Sequence, residues 1–247
     1  MKLLDPEIVL GAYAVGVFPM ADHRAAETIY WVEPKKRAIL PLGGFHLSRS
    51  LRKKIASDHF RVTADQAFDA VMELCAESAV DRPETWINPA IVEVFSRLHV
   101  MGLAHSVECW EGERLVGGLY GLALGRAFFG ESMVSRSRDA SKVALAWLVA
   151  RLKVGGFSLL DCQFQTDHLA SLGAIEIPRA DYLGLLASAL AGLGSARAPA
   201  GEAAFSGADS AASLVDFGAL DRLGADPTTV SGPVPGKVIA QLLVQTS

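Results

Sequence analysis

Residues 159–174 read LLDCQFQTDHLASLGA. Leu160, Cys162 and Phe164 alternate with Asp161, Gln163 and Gln165. In a strand, alternate side chains share a face. A carboxylate and two amides therefore line one side of a strand whose other side is apolar. Asp161 and Gln163 should lie two residue rises apart, about 6–7 Å. Buried polar groups of this kind usually hydrogen-bond to loops. The functional alternative is a polar site at the carboxyl end of a strand, where open sheets place ligands.

Working outward, the preceding stretch DASKVALAWLVARLKVGG (139–156) is a long helix stopped by two glycines. Before it come three strand-like runs: AHSVECWE (104–111), ERLVGGLYGLALG (113–125) and RAFFGESMVSR (126–136). Their short connections favour antiparallel hairpins. Antiparallel strands followed by a strand–helix–strand crossover predict an α+β domain, with a mixed, largely antiparallel sheet flanked by helices. Downstream, TDHLASLG (166–173) and RADYLGLLASALAGL (179–193) read as helices.

Upstream, PEIVLGAYAVGVF (6–18) reads as a helix with Pro6 in its first turn. TIYWV (28–32) and RAILPL (37–42) are short strands, and FRVT (60–63) is another. SRSLRKKIAS (48–57) is a helix capped by Ser48. DQAFDAVMELCAES (65–78) and NPAIVEVFSRLHVMG (88–102) are helices capped by Asp65 and Asn88. The expected division is a small N-terminal α/β module over 1–62, a larger domain over 63–193, and a tail over 194–247. Residues 194–236 turn to Ala, Gly, Ser, Pro and Asp and read as linker. The final VIAQLLVQTS (238–247) is strand-like and suits a sheet edge. A truncation before Gly194 that stays active would make the tail dispensable.

With 247 residues, 51% of them hydrophobic, a sizeable core can form. No apolar run approaches the length of a membrane span, and the N-terminus has no signal-peptide pattern. Cys75, Cys109 and Cys162 are far apart, and the six histidines show no metal spacing. The expectation is a reduced, cytoplasmic, monomeric protein with no metal and no membrane association. A net charge of −4 argues against indiscriminate nucleic-acid binding. Its distribution is uneven: residues 1–62 carry 10 Lys and Arg against 6 Asp and Glu, the remainder 13 against 21. A basic front on an acidic body points to a polyanionic partner.

Three further stretches carry candidate chemistry. In GESMVSR (130–136), Glu131 lies between Phe128-Phe129 and Met133, a setting in which a carboxylate has a desolvation problem unless paired. Strand alternation puts Glu131 and Met133 on one face and Ser132 on the other. In FHLSRSLRKK (45–54), Arg49, Arg52 and Lys53 share a helix face, with Lys54 beside them. Such a stripe suits phosphates, though most basic stripes are solvated faces. Trp31 and Trp86 precede the turn-rich WVEP and WINP; Trp can stack on a nucleobase, though more often it is core.

Together and in order, YWVEPKKRAILP (30–41), FHLSRSLRKK, TWINPAIVEVFSRLHVMGLAHSVECW (85–110), LVGGLYGLALGRAFFGESMVSRSRDASKVAL (115–145) and LLDCQFQTDHLASLGAIEIPRADYL (159–183) resemble the leucyl/phenylalanyl-tRNA–protein transferase family. The resemblance covers about residues 1–190. It implies transfer of Leu or Phe from aminoacyl-tRNA to proteins beginning with Lys or Arg, which marks them for N-degron proteolysis. It also implies a domain like the Gcn5-related N-acetyltransferases. Those enzymes carry a glycine-containing pyrophosphate loop; here the loop reads SRSRDASK (135–142), without glycine. No cofactor is therefore expected. The alternatives are a CoA-dependent N-acyltransferase on the same scaffold and a non-catalytic tRNA-binding module.

By this resemblance, Asp161, Gln163 and Glu131 form the catalytic site. Leu119, Phe128, Met133, Leu145, Leu148 and Leu160 wall the pocket for the Leu or Phe side chain. Trp31 and Trp86 contact the terminal adenosine, and Arg49, Arg52, Lys53 and Lys54 grip the acceptor stem. In the implied mechanism Asp161 accepts a hydrogen bond from the Gln163 amide, whose carbonyl accepts from the attacking amine. Glu131 attracts the acceptor's cationic end. A direct base role for Asp161 is the competing reading.

Overall fold

The structure, a computed structural model, describes residues 4–77, 85–191, 215–223 and 233–244. Helix α1 (Pro6–Ala14) starts at Asp5, whose side chain accepts from the Glu7 amide. It stops earlier than its apolar run predicts, because Gly16 turns the chain with φ +80. Residues 18–20 instead form strand β1 (Phe18–Met20), paired antiparallel with β2 (Tyr30–Val32). Then follow β3 (Lys36–Ile39), α2 (Arg49–Ala56) and β4 (Arg61–Ala64). Ser48 caps α2 as expected, accepting from the Leu51 amide.

Helix α3 (Phe68–Ala76) lacks the cap expected from Asp65. Asp65 takes a left-handed conformation and accepts instead from the Ser106 amide. Asn88 does cap α4 (Pro89–Val100). Strands β5 (Ala104–Glu111), β6 (Arg114–Leu124) and β7 (Ala127–Ser135) form the expected meander. Helix α5 (Ala140–Val154) carries the chain to β8 (Leu159–Gln163), parallel to β7 as a crossover requires. Helix α6 (Asp167–Ala170), strand β9 (Ile175–Pro178) and helix α7 (Arg179–Leu190) follow. Strand β9 was not expected; IEIP is too short to carry a period.

One seven-stranded sheet runs β4-β5-β6-β7-β8-β3-β9, antiparallel throughout except at β7–β8. It is the mixed, largely antiparallel sheet expected of the class. The boundary expected at residue 62 falls inside β4, and β3 is an interior strand. Residues 36–64 thus share the sheet with residues beyond 62. Helices α1, α3, α4 and α7 pack on one face, around Phe95, Tyr120 and Phe129. Helices α2 and α5 pack on the other, around Leu119, Phe128 and Leu160. Among the described residues, no helix is long and apolar enough to cross a membrane.

The tail corrects the sequence reading. Residues Gly236–Val244 form helix α8, not an edge strand. Its buried residues Gly236, Ile239, Ala240 and Leu243 sit at i, i+3, i+4 and i+7, the spacing of one helix face. A short apolar run with one polar residue cannot by itself separate buried helix from strand, and here the docking surface on α2 and α5 decided it. A 3-10 turn over Phe217–Arg222 also packs on α5, with Phe217 stacked on Phe128 and His105. This cover explains why only Lys142, Lys153 and Val154 of α5 escape burial. The rest of the expected linker, 194–214 and 224–232, lies outside the described residues.

Candidate functional site

Strands β7 and β8 pair only from Ala127 and Leu159 to Phe129 and Asp161. Beyond that point β7 stays with β6, and β8 stays with β3. The sheet therefore opens at the carboxyl ends of its one parallel pair, a place where open sheets accept ligands. A β-bulge lies beside the opening, in the pairing of β7 with β6. Tyr120 faces Ser132 and the next residue, Gly121, faces Gly130, so Glu131 is the extra residue. The bulge breaks the alternation expected through Glu131, Ser132 and Met133. Gly121 sits opposite it, where a Cβ would collide with the Phe129 carbonyl and the Phe128 ring.

A cavity of about 270 Å³ fills the opening. Leu119, Met133, Leu145, Leu148 and Leu160 line it, five of the six residues expected to do so. Phe128 does not; it is fully buried behind the wall, stacked on Phe217. Trp86 lines the cavity, whereas Trp31 lies outside it, partly exposed on β2 opposite Pro19. Sequence reading missed Phe164 and His168, which also line it. Burial lowers the His168 pKa, and nearby Lys142 lowers it further.

The polar groups divide differently from the expected pair. Gln163 and Glu131 line the cavity, and Gln163 Nε2 donates to Glu131 Oε1 at 2.8 Å. The second Glu131 oxygen is buried without a hydrogen-bond partner. Burial raises the Glu131 pKa from 4.5 to about 7, against the lowering effect of Tyr13 and Gln163. Asp161 is fully buried and is not part of the cavity lining. It accepts from the Gln163 backbone amide at 2.8 Å, not from the Gln163 side chain. Its other donors are Arg37 and the Tyr182 hydroxyl. Gln163 has φ +60, a conformation that costs a non-glycine residue about 1–2 kcal/mol.

Arg37 and Tyr182 lie in stretches that carried the family resemblance, but nothing in their spacing marked them as site residues. Arg37 is only 1% exposed, which a strand-end cation rarely is. Of the basic helix, Arg49, Arg52 and Lys53 are exposed along α2. Lys54 is committed elsewhere, donating to Arg138 O at 2.8 Å and pairing with Asp139 at 3.0 Å. The loop before α5 spends its amides internally: those of Arg136 and Ser137 donate to Val116 O, that of Ala140 to Ser137 O.

A sheet that opens over an apolar cavity lined by an amide and an acid suits a group-transfer enzyme. Comparison with known proteins specifies which. The family model described as leucyl/phenylalanyl-tRNA protein transferase matches residues 39–187, and the model for that family's N-terminal domain matches 3–35. A leucyl/phenylalanyl-tRNA–protein transferase of Rhizorhabdus wittichii is 61% identical, covering 100% of both chains. One of Novosphingobium aromaticivorans is 49% identical over 99% of this chain and 97% of its own. One of Zymomonas mobilis is 66% identical over 76% of this chain and 70% of its own. Among solved structures, that of L-PGS from Bacillus licheniformis aligns with a TM-score of 0.39 at 11% identity, over 63% of this chain and 51% of that one. The chain belongs to the leucyl/phenylalanyl-tRNA–protein transferase family and is an aminoacyltransferase.

Proposed function

We propose that this chain moves Leu or Phe from aminoacyl-tRNA to the α-amine of proteins beginning with Lys or Arg, marking them for N-degron proteolysis in the cytoplasm. The observation that carries this reading is the buried amide–acid pair that lines the apolar cavity. The donor's side chain enters between Leu119, Met133, Leu145, Leu148 and Leu160. Trp86 lies against its terminal adenosine, and Arg49, Arg52 and Lys53 meet acceptor-stem phosphates.

The donor is an ester, already activated. The nucleophile is an α-amine with a pKa near ~7.7–8.0, so roughly one molecule in ten is unprotonated at neutral pH. A strong base is unnecessary. Holding amine and carbonyl in contact is worth roughly 7–11 kcal/mol. The amine nitrogen attacks the ester carbonyl, the carbon–oxygen bond to the ribose breaks, and the amine's proton ends on the ribose oxygen.

Gln163 orients the amine. Its Nε2 is held by Glu131, which aims the amide oxygen at the incoming N–H. The free oxygen of Glu131 accepts from the acceptor's cationic group, which draws the acid toward its charged form. Asp161 has no part in the proton transfer, since Arg37, Tyr182 and the Gln163 amide occupy both its oxygens. Transfer of labelled Leu from Leu-tRNA to peptides that differ only in their first residue tests the reading. Transfer to Arg- and Lys-initiated peptides but not to an Ala-initiated one supports it; equal transfer to all three removes the role of Glu131.

A further inference from the structure

Arg37 is 1% exposed, among the largest fully buried side chains of the described residues, and the proposed reaction does not touch it. Its Nε donates to both oxygens of Asp161, at 2.9 and 3.0 Å, and its Nη2 donates to Oδ2 at 2.7 Å. Its Nη1 reaches the Gly16 carbonyl at 3.1 Å, just after α1. The guanidinium carbon lies 4.6 Å from the Phe18 ring centroid and 4.7 Å from that of Tyr182. The Tyr182 hydroxyl donates to Asp161 Oδ2 at 2.8 Å. One cation thus joins α1, β1, β3, β8 and α7.

Buried ion pairs are poor sources of stability, because desolvation offsets their attraction; geometry is what they supply. Here the geometry ends on the Gln163 amide, which donates to Asp161 Oδ1 at 2.8 Å. That bond holds Gln163 in its left-handed conformation at the end of β8. Without it the backbone can relax to an extended conformation, in which side chains alternate from face to face, and the Gln163 amide leaves Glu131.

We propose that Arg37 and Tyr182 are positioning residues for the transfer: through Asp161 they lock the backbone turn that aims Gln163 into the cavity. The inference rests on the function proposed above. It makes Asp161 a clamp whose work is done before substrate arrives. An arginine is needed because its planar fork fills two carboxylate oxygens at once while stacking between rings, which a lysine cannot do.

A double-mutant cycle on the full-length chain tests it, with single-turnover transfer from Leu-tRNA to an Arg-initiated peptide as the readout. Tyr182→Phe removes one hydroxyl and keeps the ring over Arg37. It should lower the transfer rate roughly tenfold, as small misplacements of a reacting group do, while KM for Leu-tRNA stays within about twofold. In a Gln163→Ala background the same change should have no further effect, since Tyr182 acts only through Gln163. The pH–rate profile of Tyr182→Phe should keep the wild-type midpoints. Multiplying penalties in the double variant, an unchanged rate in Tyr182→Phe, or a displaced midpoint would each overturn the inference. If Tyr182→Phe does not fold, Arg37→Lys enters the same cycle with the same expectations. Absence of transfer by the wild type would instead defeat the proposed function, and this inference with it.

Discussion

In the proposed reaction Glu131 must ionise, whereas its burial favours the proton. Its raised pKa means the folded chain holds the proton more tightly than the unfolded one. The stabilisation this gives is complete below pH 4.5 and is lost as pH rises through about 7. The difference amounts to about 3 kcal/mol. Glu131→Gln keeps an acceptor for Gln163 without the buried charge, so it should melt higher than wild type at pH 8 and no higher at pH 4. It should also lose the preference for cationic acceptors. Below pH ~6.5, log kcat/KM for an Arg-initiated peptide should rise with a slope near two, one proton from the amine and one from Glu131. The slope should fall to one in Glu131→Gln; a slope of one in both proteins would remove Glu131 from the reaction. At the cavity wall, Met133→Ala should admit Cβ-branched donors, shifting the Leu-to-Ile ratio by about 1–3 kcal/mol. Competition between Leu-tRNA and Ile-tRNA would measure it, and an unchanged ratio would reassign the pocket.

At the scale of elements, the tail and the bulge matter most. Leu243 on α8 and Phe217 in the 3-10 turn complete the core around α5. Leu243→Ala should therefore cost about 2–5 kcal/mol in chemical denaturation, and a chain cut before Gly194 should unfold more easily than the whole. Equal stability of the cut chain would make the tail ornamental. The sequence made the strong periods legible: the β5–β7 meander, the crossover through α5, and the caps at Ser48 and Asn88. It hid what depends on partners distant in the chain. VIAQLLV has a single polar residue, Gln241, too little to show a period, so α2 and α5 had to choose helix for it. A bulge leaves no mark on composition, so the aim of Glu131 could not be read from alternation. The strand 159–163 announced a polar face, yet Asp161 turns to Arg37 and only Gln163 enters the cavity, because a left-handed residue follows no strand rule.

Over the whole molecule, the cations that the proposed function assigns to tRNA lie on α2. Three exposed cations on α2 face solvent, while Lys54 secures the loop ahead of α5 through Asp139. Arg52→Ala should weaken Leu-tRNA binding and reduce the slope of log Kd against log salt by about one. Lys54→Ala should leave that slope unchanged and instead lower thermal stability. Filter binding across a salt series would separate the two, and equal slopes for all single variants would detach α2 from the tRNA. The central claim is that Gln163, where β7 and β8 part, orients the attacking amine. It is tested most directly by single-turnover transfer of labelled Leu from Leu-tRNA to an Arg-initiated peptide, with wild type and Gln163→Ala side by side. The account predicts rapid transfer by the wild type and a loss of roughly 10²-fold in Gln163→Ala, with KM for Leu-tRNA unchanged. Equal rates in the two proteins would contradict it.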